Sequence, residues 1–291
     1  MNLQNIISDI EQKDPEVFDK LSDRRKAMKS FSNFAGKVAL ASLPFAFGSM
    51  LKKAYGQTPS DIVGVLNFAL TLEYLESEFY KLGVAAPGLI PAGTPAVGAL
   101  NKISSDETKH VAFLRSAITA AGGTPVSFTA ANFDYTAGNG TGTGPFAGVF
   151  VNYDLFLAVA QTFEDTGVRA YKGQAPNLMS NNDVLTAALN IHSVEARHAS
   201  HIRYMRRARQ AANPGNGLYV GDIKPWITLN KSNIGSPLVQ ASYDGEEATM
   251  QAGVNILNVG NQTFTENAAS EAFDEPLTKA QILAIVDPFI I

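Results

Sequence analysis

Apolar residues recur with helical spacing in four stretches of the chain, and turn-forming residues separate them. Thr58-Pro59 and Thr94-Pro95 each offer a capping hydroxyl followed by proline at a first helical position. Gly83 and Gly122 stand where left-handed C-terminal caps belong. The signals predict a first helix over 59–82 and a second over 95–121. A third is expected over 146–172, closed by Gly173, and a fourth from near Asn181 to just before Asn213-Pro214-Gly215. Short links join the first helix to the second and the third to the fourth, so two antiparallel hairpins are expected. Between them, 122–145 is rich in Gly, Thr, Asn and Ala and holds no regular period. Beyond 212 the helical pattern fades into β-prone runs such as Trp226 to Leu229. One short helix is expected near Thr278 to Val286, where Thr278 and Gln281 form a capping box. The expectation is an all-α four-helix bundle over 58–212, with a long crossover between helices 2 and 3. An irregular C-terminal extension, 213–291, wraps it.

Chemistry enters through two Glu-x-x-His pairs, Glu107 with His110 and Glu195 with His198. With four histidines and thirteen glutamates in 291 residues, chance placement gives about 0.18 such pairs. Residues three apart share a helix face, so each pair aims a carboxylate and an imidazole at one point. Glu73 and Glu164 lie on the inner stripes of the other two helices. A buried carboxylate without a partner is costly to ionise, and four converging stripes are hard to explain without cations. A buried polar network without metal is the competing account. Tyr80 and Tyr171, seven residues after Glu73 and Glu164, follow on the same faces. They are candidates to hydrogen-bond the ligands or donate an electron, with ordinary core tyrosines as the alternative. Glu76, three residues after Glu73, is a candidate supporting or alternative ligand, with solvated charge the preferred reading for it as for Glu78; His192 and His201 read as residues of the rim or surface. Arg197, Arg203, Arg206, Arg207 and Arg209 read as solvated, salt-bridging residues.

The order Glu73, Glu107-x-x-His110, Glu164, Glu195-x-x-His198 resembles the ferritin-like family of carboxylate-bridged dimetal proteins. Leu66 to Tyr80 and Phe273-Asp274-Glu275-Pro276-Leu277-Thr278 look like the bacterial members of desiccation-related type, and the resemblance runs from about Ser60 to Ile291. It implies a crossover through the Gly-rich link and two iron or manganese ions per chain, with zinc not excluded. Glu107 and Glu195 would bridge the ions, His110 and His198 would each bind one, and Glu73 and Glu164 would cap the ends. Positions left open would take water, dioxygen or peroxide. The implied activity is ferroxidase- or catalase-like. Metal storage and a non-catalytic, stress-protective envelope scaffold are the alternatives.

Composition narrows the setting. A net charge of −4 argues against nucleic acid as a partner. With no cysteine, any ion must be held by oxygen and imidazole, which suits iron or manganese. Residues 1–57 have the features of an export leader. Arg24-Arg25-Lys26-Ala27-Met28-Lys29 resembles a twin-arginine motif, although Ala27 replaces the usual bulky residue. The uncharged stretch Val38 to Leu51 suits a signal core, and Ala54-Tyr55-Gly56 offers a cleavage site before Gln57. The expectation is a periplasmic or otherwise exported protein with no transmembrane anchor in its mature form, able to form a homo-oligomer. A retained N-terminal amphipathic helix, in a cytoplasmic protein, is the alternative.

Overall fold

A computed structural model describes residues 59–291, so the leader-like segment lies outside the described residues. Within them the chain forms a helical bundle of α1 (Pro59–Ala85), α2 (Pro95–Ala120), α3 (Tyr153–Gln174) and α4 (Asn182–Ala212). α1 packs along α2, and α3 along α4. Both pairs are antiparallel, as pairings such as Tyr74 with Arg115 and Asp154 with Arg209 require. No described helix is long and apolar enough to cross a membrane.

Several boundaries differ from the sequence reading. Gly83 does not cap α1 but lies inside it. A Cβ there would come within 2.3 Å of the Phe156 ring, so glycine lets α1 and α3 close together. Gly173 likewise sits inside α3, where a Cβ would meet the Leu277 carbonyl oxygen at 2.0 Å. Gly122 does take a left-handed conformation, with φ of 81°. The Thr94 hydroxyl donates to the Pro91 carbonyl rather than capping α2, and Thr58 lies outside the described residues. α3 starts seven residues later than expected, at Tyr153. Residues 144–152 turn repeatedly instead, and the Asn152 side chain caps the Asp154 and Leu155 amides.

The crossover is organised around Asp134, whose carboxylate accepts from Thr136 and from the Gly140 and Gly142 amides. The chain's end is pinned on it by an Asp134 amide to Phe289 carbonyl bond of 2.8 Å and by Phe146 stacked on Phe289. The extension carries four two-residue strands paired as two small hairpins between Met250 and Thr263, then α5 (Glu266–Ser270) and α6 (Lys279–Val286). α6 begins with the expected Thr278–Gln281 capping box.

The extension is held to the helices by arginines that the sequence reading places in solvent. Arg203 and Arg206 are 1% and 0% exposed, not solvated. Arg203 grips the Asp165 carboxylate with Nε and Nη2, at 3.2 and 2.5 Å, and Tyr243 of the extension donates to the same carboxylate at 2.8 Å. Arg206 reaches Gln161 and the carbonyls of Leu218 and Asn233, and Arg169 on α3 binds Glu246 and the carbonyls of Ser242, Asp244 and Glu275. Half-buried Arg209 pairs with Asp154, while Arg197 and Arg207 are exposed as expected.

Candidate metal centre

Midway along the bundle, each helix turns its candidate side chains inward. Glu73, Glu107, Glu164 and Glu195 have no solvent exposure, and His110 and His198 retain 9% and 7%. The burial follows from the apolar stripes, because each ligand position continues a row of core residues on its own helix. His110 Nδ1 lies 3.1 Å from Glu73 Oε2, 3.1 Å from Glu107 Oε2 and 3.2 Å from Glu195 Oε1. His198 Nδ1 lies 2.9 Å from Glu107 Oε1 and 3.3 Å from Glu164 Oε2. Two quartets result: Glu73, Glu107, His110 and Glu195; and Glu107, Glu164, Glu195 and His198, with donor atoms within 4.8 Å of one another. Glu107 and Glu195 belong to both.

Hydrogen bonding among the side chains does not account for this packing. One ring nitrogen faces three carboxylates, yet an N–H can point at only one. Glu107 Oε1, Glu164 Oε2, both oxygens of Glu195 and Nδ1 of His198 have no hydrogen-bond partner despite being buried. His198 Nδ1 is close to Glu107 Oε1 but not aligned with it. Five such atoms at one point is far above the usual density of unsatisfied groups. Cations bound between oxygen and imidazole donors would satisfy all of them, and the donor set suits iron, manganese or zinc. The residues therefore fit a pair of metal ions.

Two tyrosines brace the outer carboxylates across the bundle. Tyr80 on α1 donates to Glu164 Oε1 on α3 at 2.6 Å, and Tyr171 on α3 donates to Glu73 Oε1 on α1. In each case the second carboxylate oxygen is left facing a histidine. Burial, then the charge of the bonded glutamate, pushes both phenols well above their ordinary range and keeps them donors.

Sequence reasoning missed one participant and preferred the wrong reading of another. Asp106 lies 3.6 Å from Nε2 of His198 and so sits behind the ring, steadied by Lys102 and Lys109. The signal was its place directly before Glu107, which on α2 turns it toward α4. Glu76, read as solvated, is 4% exposed and lies among the other carboxylates. Glu78 is half-buried and pairs with Lys81 at 2.7 Å. His192 bonds the Val168 carbonyl and His201 is exposed, so neither joins a quartet.

The crowded charges set a pH dependence. Burial, then the Glu195 charge, pushes Glu107 up to about 7; burial, then the Glu73 charge, pushes Glu195 up to about 8. Burial lowers His198, but Glu164 and its neighbours outweigh this and raise it to about 11. All three bind protons more tightly folded than unfolded. Their stabilisation is complete below the unfolded values and is lost as pH rises through the folded ones. Chelated protein should therefore lose stability steadily between pH 5 and pH 9, with a fall in melting temperature on the order of 10 °C. Ion binding displaces those protons, so the gain on adding manganous ion should grow over the same range. Melting curves with chelator and with manganous ion check this; parallel curves would contradict it.

A comparison with curated proteins returned no match. The family model described as a ferritin-like domain matches residues 61–208, which take in nearly all of the four long helices and the six converging side chains. This chain belongs to the ferritin-like domain family.

Proposed function

We propose that the protein holds two iron or manganese ions between Glu73, Glu107, His110, Glu164, Glu195 and His198. In this reading it reacts with dioxygen or peroxide in a ferroxidase- or catalase-like manner. The carrying observation is the set of five unsatisfied donor atoms shared between two quartets that have Glu107 and Glu195 in common. Bound there, redox-active ions would supply one-electron couples for the reduction or disproportionation of a small oxygen species.

The chain's own contribution is positional. Tyr171 and Tyr80 each hold one oxygen of an outer glutamate and leave the other turned inward. Asp106 faces Nε2 of His198, which favours a proton there and leaves Nδ1 free to bind. Complete burial of the four carboxylates keeps bulk water from competing for them. Of the six side chains only the two imidazoles touch solvent, so any approach from that side suits species of the size of dioxygen or peroxide. The leader-like residues 1–57 support export of the folded protein and so a periplasmic or other external location.

The test loads wild type anaerobically with ferrous ion and then admits oxygen. Oxygen should be consumed as ligand-to-metal absorption appears, and a manganese form is assayed for oxygen release from peroxide. His198→Ala should lose most of either reaction with helical circular dichroism intact, because α4 is held by its apolar stripe. Two bound ions with neither reaction would overturn the redox reading in favour of storage or a scaffold.

A further inference from the structure

The two hairpins repeat each other: Glu73 corresponds to Glu164 and Tyr80 to Tyr171, each tyrosine seven residues after its glutamate. The residues between them differ, and one difference falls on the face of the glutamate and the tyrosine. Three residues after Glu73 stands Glu76, and three after Glu164 stands Gly167. Glycine inside a helix costs about 1 kcal/mol relative to alanine, so its presence in buried α3 calls for a reason. A Cβ on Gly167 would lie 3.2 Å from Glu76 Oε1 and 3.2 Å from Glu195 Oε2. The absent side chain leaves these two oxygens facing a common space.

Glu76 is 4% exposed, and no hydrogen bond or ion pair to it occurs among the described residues. The strongest charges acting on it are those of Glu195, Glu164, Glu107 and Glu73. A fifth carboxylate held there without a partner is expensive for the fold. Charge balance supplies a use for it. Four carboxylates neutralise two divalent ions, and a fifth is in excess until the ions carry more than four positive charges between them. Glu76 stands just outside both quartets, on the side of the unpartnered Glu195 Oε2.

We propose that Glu76 is a seventh protein ligand of the centre, entering on the side opened by Gly167 and favouring the trivalent over the divalent state of the bound ions. The proposal rests on the dimetal reading above, and the test separates the two. Wild type, Glu76→Gln and Gly167→Ala are titrated with cobaltous ion to count sites. They are then loaded with iron for spectroelectrochemistry and Mössbauer spectroscopy of the diferric form. All three should bind two cobalt ions. Glu76→Gln should lower the ratio of ferric to ferrous affinity at least tenfold, raising the potential by about 59 mV per electron. It should also alter one of the two ferric environments. Gly167→Ala keeps the carboxylate but fills its path, and should shift both readouts in the same direction by less. If Glu76→Gln does not fold, Gly167→Ala alone decides. Unchanged potentials, or a shifted potential with both iron environments unchanged, would overturn the proposal. Failure of wild type to bind cobalt would instead overturn the dimetal centre itself.

Discussion

Replacing Arg203 with alanine should lower the unfolding free energy by about 3–5 kcal/mol, the cost of stranding a buried partner. For a domain of this size that corresponds to a fall in melting temperature on the order of 10 °C. The carboxylate left behind is Asp165, held by both Nε and Nη2 of Arg203 and by Tyr243. Lysine at 203 should rescue little, because it has no planar fork to match the carboxylate. Removing both charges, as Asp165→Asn with Arg203→Met, should recover a substantial part of the loss. Limited proteolysis should show early cuts in 213–291 for the single variant, since the extension loses an anchor. Equal melting temperatures for Arg203→Ala and wild type would show that the pair contributes nothing.

Ferrous or manganous ion added to chelated wild type should raise its melting temperature by several degrees. Ions present at a hundred times their dissociation constant stabilise by about 2.7 kcal/mol per site. Glu107→Ala combined with Glu195→Ala should abolish the rise, because these two carboxylates are the ones common to both quartets. The same variant, once chelated, should melt at or above chelated wild type near pH 8, having shed two mutually repelling buried carboxylates. Calorimetry on the four samples measures both effects. A double variant that still responds like wild type would place the ions elsewhere.

Helical period and paired motifs made the bundle and the six converging side chains legible, because both depend on spacing within a helix. Features that depend on a neighbouring segment were not legible. Arg203 and Arg206 lie three apart on α4, as solvated arginines commonly do. Asp165 and Gln161 on α3 receive them, and the irregular extension, which carries no periodic signal, completes their burial. Gly83 and Gly173 have the spacing of helix caps, yet each is set by a contact from elsewhere: the Phe156 ring and the Leu277 carbonyl. The charge of Glu76 favours a solvated reading over a ligand role. The telling signal was its company, since Tyr74, Leu75, Ser77 and Phe79 are all buried around it.

The crossed tyrosine bonds have a consequence for how the centre comes into being. Each hairpin carries one outer glutamate, one Glu-x-x-His pair and one tyrosine, and so supplies three members of one quartet but only a single member of the other. A single hairpin expressed alone would have to find a second before it could close a coordination sphere, and its success would depend on concentration. The Asp134-centred crossover makes that encounter intramolecular, at an effective concentration set by its length. Lengthening this link with a flexible insert would dilute one half against the other, slowing completion of the centre without altering a single ligand.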